Sequence, residues 1–261
     1  LAWLANLDEV LTSLEQDWNI AIGPALAGGT AAFVAEATDA TGDTFILKLG
    51  TPGTAAGRHE AEMLRRADGL PYERQVDVIC ATLLQAWMPV PADLDCPTGA
   101  DKANSLAQSI LTLWHGAGQP CAQAVIDTAL RYCRDRAAAY RPENAVLAHG
   151  DPHPANVLAL PDSEPVQFRF IDPDGLAIEP AYDLGVLLRA WHEGIQGRHA
   201  HDIARSHVRH LTRRTQVPSE AIWQWGYIER VSTGLHLLQI GQRDEGRTYL
   251  GVAEVITNTM G

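Results

Sequence analysis

Two prolines and a glycine fall within His149-Gly150-Asp151-Pro152-His153-Pro154-Ala155-Asn156, and they forbid regular helix or sheet from residue 150 to 154. The backbone must loop there and present its side chains outward. Apolar, strand-like stretches flank the loop; the second, at 166–171, runs directly into Asp172-Pro173-Asp174-Gly175. A loop that only faced solvent would have no need to crowd Asp151, His153, Asn156 and Asp172 between two buried strands.

The rest of the chain divides by periodicity. Leu4, Leu7, Val10, Leu11 and Leu14 recur at helical spacing and predict an amphipathic opening helix over residues 1–17. From 18 to 49, short apolar runs broken by Gly28-Gly29 and by Asp39-Ala40-Thr41-Gly42 predict three strands, joined by a glycine turn and a hairpin. Helical spacing returns at 57–68. Residues 76–81 and 82–88 then read as two further strands, the second ending at Pro89, but no Gly, Asn, Asp or Pro lies between them to reverse the chain. Either this is one long strand or residues are absent near position 80. Beyond Pro91 the pattern is mainly helical, interrupted by the compact segment 146–175. A sheet-rich part meets a helix-rich part near residue 90, which predicts two domains, 1–90 and 91–261.

Lysine is rare. Only Lys48 and Lys102 occur, the other eighteen basic residues being arginine. Alternation along residues 44–49 puts Phe45, Leu47 and Leu49 on one face of a strand and Ile46 and Lys48 on the other. A mid-strand charge either protects a sheet edge or answers a partner, and Glu60 on the following helix offers one. Gly28, Gly29 and Thr30 join two strands; paired glycines serve a hairpin turn or let backbone N–H groups close on a phosphate. Phosphoryl transfer to a hydroxyl requires a carboxylate that orients the acceptor, oxygen ligands for magnesium and a cation on the phosphates. Asp151, Asn156, Asp172 and Lys48 supply that set.

Lys48, Glu60, the HGDPHPAN segment and DPDG, in this order and separation, resemble the aminoglycoside phosphotransferase family, relatives of the protein kinases. HGDPHPANVLAL followed by FIDPDGLAIEPAYDLG looks most like its streptomycin 6-phosphotransferase and hydroxyurea phosphotransferase branch. The resemblance spans residues 20 to 260 and is most specific from 147 to 189. It implies an α+β, two-lobed, protein-kinase-like fold, in which a small antiparallel sheet lobe with a helix precedes a larger, mainly helical lobe. Asp151 would be the catalytic base, Asn156 and Asp172 the magnesium ligands, Lys48 the phosphate contact and Glu60 its ion-pair partner. Gly28, Gly29 and Thr30 would cover the phosphates of ATP. A hinge strand ending at Met88 would meet the adenine through its backbone, with Gln85 and Trp87 nearby. His153 stands where protein kinases carry a lysine, and either donates to the transferring phosphate or braces the loop. Asp183 would hold the loop from beneath, although at the start of an apolar helix it could also be a cap. His149 reads as a buried ring bonded to main chain.

The 32 acidic and 20 basic residues leave a net charge of -12, which repels a phosphate backbone and favours a small cationic acceptor over nucleic acid. Glu193, Glu229, Asp244 and Glu245 are candidate carboxylates for such a cation. No apolar run approaches the ~20 residues of a membrane span. Four cysteines without a CxxC pair fit reduced thiols and a cytoplasmic setting, in a monomer or dimer. A rival chemistry follows from the alternation of His149, Asp151 and His153, which an extended segment would place on one face as in a metallohydrolase. Metal binding by His199, His201, His207 and His210 is disfavoured by the interleaved Arg198, Arg205 and Arg209. Trp191, Trp223 and Trp225 fit core positions.

Overall fold

The structure, a computed structural model, describes residues 7–25, 32–42, 44–50, 72–159, 167–190 and 199–260. Its contacts define two compact units, Leu1–Asp68 and Gly69–Gly261. In the first unit, α1 (Leu7–Trp18) leads into β1 (Ile20–Ala25), β2 (Ala32–Asp39) and β3 (Thr44–Gly50), which form an antiparallel sheet in the order β1-β2-β3. Ile20, Ala37 and Leu47 form its core, and Leu11, Ile22 and Leu49 pack against them. The expected hairpin is present. Asp39 Oδ1 accepts from Thr41 N at 2.8 Å, Gly42 N donates to Asp39 O at 3.1 Å, and Gly42 takes a positive φ of 91° that suits glycine. The backbone of Lys48 pairs with that of Val34. Gly28, Gly29, Thr30, Glu60 and the helix expected over 57–68 lie outside the described residues.

The second unit corrects the reading of 76–88. These residues are not strands: 72–86 form one helix, α2 (Tyr72–Ala86), and only β4 (Met88–Pro89) is extended. Val76, Ile79, Cys80 and Leu83 are buried at i, i+3, i+4 and i+7, which is the helical period. Thr82, a strand former by propensity, returns its hydroxyl to Val78 O at 2.8 Å. The absent reversal signal is thereby explained, because the chain does not reverse there. Gln85 sits on the last turn of this helix rather than on a hinge strand, and Trp87 N donates to Leu83 O at 2.9 Å where the helix ends. α2 and β4 belong to the second compact unit.

After β4 come α3 (Gly99–Gly116) and α4 (Gln123–Ala139), then β5 (Val146–Ala148), β6 (Val157–Ala159), β7 (Phe168–Phe170) and β8 (Leu176–Ile178). Strands β4, β5 and β8 form one small antiparallel sheet and β6 and β7 another. The chain closes with α5 (Ala181–Ala190), α6 (Ala200–Thr215), α7 (Ser219–Gln239) and α8 (Arg243–Met260). α6 is amphipathic. Its Ala204, Val208 and Leu211 are buried, while His210 Nε2 and Arg214 Nε each reach Asp77 Oδ1 of α2 at 2.7 Å. Trp223 and Trp225 are core residues, as expected. Among the described residues, no helix is long and apolar enough to cross a membrane.

α5 and α7 approach through glycines. A Cβ on Gly185 would lie 2.5 Å from Trp225 Cβ and 2.8 Å from Gly226 N, whereas one on Gly251 of α8 would meet nothing within 4 Å. Gly185→Ala should therefore lower the free energy of unfolding by about 1–3 kcal/mol through overpacking. Gly251→Ala should instead raise it, by up to ~1 kcal/mol, through helix propensity. Urea titration of both variants checks this, and equal responses would contradict the close approach.

Candidate active site

β5 delivers the chain into the loop at His149, and glycine is required at the next position for two reasons. Gly150 has φ 92°, and a Cβ there would lie 2.5 Å from Asp174 Cβ. The loop then folds around the Asp151 carbonyl, which accepts from His153 N at 2.9 Å and from Asn156 Nδ2 at 3.0 Å. Pro154 opens a 3-10 turn, Pro154–Asn156, that returns the chain to β6. His149 is structural, as expected. Its Nε2 donates to Ile171 O at 2.9 Å and its Nδ1 accepts from Asp151 N at 3.2 Å. Both ring nitrogens are thus committed to main chain. That removes His149 from any metal triad with Asp151 and His153, and among the described residues no group of three or more His, Cys, Asp or Glu is placed to hold a metal.

Asp183 does not cap its own helix. From the first turn of α5 its carboxylate accepts from His149 N at 3.0 Å, Gly150 N at 2.8 Å and Trp87 Nε1 at 2.8 Å. The side chain is fully buried. Burial pushes its pKa up, and the three hydrogen bonds oppose that shift. Two loop amides, which a proline-rich segment cannot pair within a strand or helix, are satisfied in this way. The Trp87 indole, expected beside the adenine, is committed to this brace.

The Asp151 carboxylate faces two nitrogen-bearing side chains. Arg189 Nη2 donates to Oδ1 at 3.0 Å, and His153 Nε2 lies 3.2 Å from Oδ2. Burial raises the pKa of Asp151, but the hydrogen bond and charge of His153 and the charge and hydrogen bond of Arg189 outweigh it and bring it down to about 2. Asp151 is therefore an ionised acceptor across the neutral range. Arg189 Nη1 also donates to Glu229 Oε2 at 3.1 Å, and Tyr182 Oη donates to Glu229 Oε1 at 2.7 Å. Glu229 was a candidate for holding a cationic acceptor. It is buried, and both its oxygens are taken by Tyr182 and Arg189, which withdraws it from that role. Sequence reading missed Arg189 as well. The signal was available, because an arginine at the end of the apolar run Leu184, Val186, Leu187, Leu188 needs a partner for the same reason as Lys48.

Asp172 is exposed, with φ 57°, in the turn between β7 and β8. The preceding residue ties that turn to the loop, since Ile171 N donates to Asn156 O at 2.9 Å. Asn156 spends its amide N–H on the Asp151 carbonyl, so its Oδ1 is the atom left for a ligand. That oxygen and the Asp172 carboxylate are the hard donors that magnesium takes. Asp151, His153 and Asn156 are thus assembled in one loop, and Asp172 follows the residue bonded to it. Asp244 and Glu245 lie in the first turn of α8, and Glu193 is outside the described residues.

A sequence model of the phosphotransferase enzyme family, APH, matches residues 79–215, just over half of the chain. The chain belongs to this family, and its architecture is the expected α+β one, a small antiparallel sheet followed by a mainly helical remainder. No curated protein sequence matches it. Among solved structures it is similar to choline kinase from Cryptosporidium parvum Iowa II, with 10% identity, TM-score 0.44, and coverage of 97% of this chain and 94% of that one. It is also similar to aminoglycoside phosphotransferase APH(3'')-Id from Streptomyces rimosus ATCC10970 in complex with ADP and streptomycin, with 16% identity, TM-score 0.44, and coverage of 87% and 98%. A third is macrolide 2'-phosphotransferase MphH from Brachybacterium faecium, with 15% identity, TM-score 0.39, and coverage of 95% and 98%.

Proposed function

We propose that this phosphotransferase moves the γ-phosphoryl group of ATP to a hydroxyl of a small cationic molecule, an aminoglycoside of the streptomycin type, and so inactivates the antibiotic in the cytoplasm. The observation that carries this reading is the half-exposed Asp151 carboxylate, held ionised between Arg189 and His153 in a loop whose amides at residues 149, 150, 151, 153 and 156 are all hydrogen-bonded. A carboxylate with a pKa about 2 is a weak base. It suits a loose phosphoryl-transfer transition state, in which the acceptor hydroxyl is oriented first and loses its proton late. In this reading Asp151 receives the hydroxyl proton, and His153 braces the carboxylate and faces the transferring group. Asn156 and Asp172 hold magnesium, which when bound neutralises charge on the phosphates. Lys48, with Glu60 as its partner, contacts the phosphates, and Gly28, Gly29 and Thr30 cover them. The net charge of -12 favours a cationic acceptor.

The test is an acceptor panel of streptomycin, other aminoglycosides, hydroxyurea and common metabolic alcohols, read by ADP release and by product mass. One added phosphate on streptomycin is expected. Addition to a metabolic alcohol alone would keep the transferase and discard the antibiotic. Release of free phosphate across the whole panel would refute transfer itself.

A further inference from the structure

α5 carries two charged residues, Asp183 and Arg189, in an otherwise uncharged sequence. Asp183 serves the loop backbone. The role of Arg189 is not explained by stability, because a buried ion pair gives little net stabilisation over apolar residues of the same volume. Its guanidinium is a flat fork whose two arms are spent on different carboxylates, Nη1 on Glu229 and Nη2 on Asp151. Glu229 is itself fixed by the Tyr182 hydroxyl. Exposure rises along this series. Tyr182 is 1% exposed and Glu229 5%, while the side chains of Arg189 and Asp151 are 18% and 35% exposed. The series runs from the buried core to a carboxylate that solvent reaches.

We propose that Arg189 is a positioning residue: anchored by Glu229 and Tyr182, its guanidinium fixes the rotamer of Asp151 so that one carboxylate oxygen is aimed at the acceptor hydroxyl. This rests on the reading of Asp151 as the group that receives that hydroxyl. The burial of Glu229 makes the chemistry specific. Burial and the two carboxylates act in opposite directions on Arg189, and the carboxylates prevail, so the guanidinium holds its proton more firmly than usual. An ammonium is a compact charge without a fork and cannot hold both carboxylates in one plane.

The test separates aiming from folding. Arg189→Met alone strands a buried carboxylate, so it is combined with Glu229→Gln, which removes the charge and keeps an acceptor for Tyr182. The double variant is expected to regain the wild-type urea midpoint and ATP affinity. Its kcat with streptomycin, or with the acceptor that the panel identifies, should fall by about 100-fold, the penalty of a reacting group misplaced by ~1 Å. KM for the acceptor should stay within a few fold. Arg189→Lys retains a cation beside Glu229 and should show the same split of lowered kcat and unmoved KM; it carries the test if the double variant does not fold. In an Asp151→Asn background the double change should lower transfer no further. Wild-type kcat in a stable double variant, beside an inactive Asp151→Asn, would overturn the positioning role alone. Wild-type transfer by Asp151→Asn would instead overturn the reading on which it rests.

Discussion

Asp151→Asn is expected to bind ATP and magnesium as the wild type does and to transfer phosphate roughly 10³-fold more slowly, the usual loss when a positioned proton acceptor is removed. The substitution preserves the loop because the bonds that shape it use the main chain of residue 151: its carbonyl accepts from His153 N and Asn156 Nδ2, and its amide donates to His149 Nδ1. Only the carboxylate changes. Asp172→Asn should behave differently, since it removes a charged oxygen from the proposed magnesium set and should weaken nucleotide binding only when magnesium is present. Calorimetric titration of ATP into both variants, with and without magnesium, reads the difference. Loss of magnesium-dependent binding in Asp151→Asn with retention in Asp172→Asn would mean that the two roles are exchanged.

Asp183→Ala should cost both stability and activity. It strands the amides of His149 and Gly150 and the indole N–H of Trp87, all donors to one buried carboxylate. Each unsatisfied donor costs about 1–3 kcal/mol, offset in part by removal of a buried charge, so a net loss of about 3–5 kcal/mol is expected. Asp183→Asn should lose less. Its amide oxygen can replace Oδ2, which serves both Trp87 and His149, while its NH₂ group is left facing the N–H of Gly150. Urea unfolding should rank wild type above Asn and Asn above Ala, with phosphate transfer following the same order. An Ala variant with a wild-type midpoint would show that the brace is dispensable.

The parts of the molecule that were legible in its sequence are those whose cause is local. Two prolines and a glycine force a loop at 150–154 wherever the segment is placed, and the turn at Asp39 carries its own hydrogen bonds. The sequence was misleading at 76–88, where Val76, Val78, Ile79 and Thr82 favour a strand by propensity. The helical outcome depends on burying Val76, Ile79, Cys80 and Leu83 together and on Asp77 meeting His210 and Arg214, residues more than a hundred positions away. Glu229 was misread for the same reason. Alone it is an acidic residue on a helix and therefore a plausible surface carboxylate. Only the docking of α5 on α7 turns it into the buried partner of Tyr182 and Arg189. Propensity and spacing do not contain such partners.

The grip of Asp183 on the loop, taken with that of Arg189, has a mechanical reading. A segment held at one point can pivot, whereas one held at two can only turn about the line joining them. α5 takes the loop at its backbone through Asp183 and at its reactive side chain through Arg189, six positions further on, or ~9 Å along the helix axis. The bond from Ile171 N to Asn156 O supplies a third point of attachment. A segment that can form neither helix nor strand is thereby tied to a helix at two points. One helix thus sets both where the loop's backbone lies and which nitrogen its carboxylate meets.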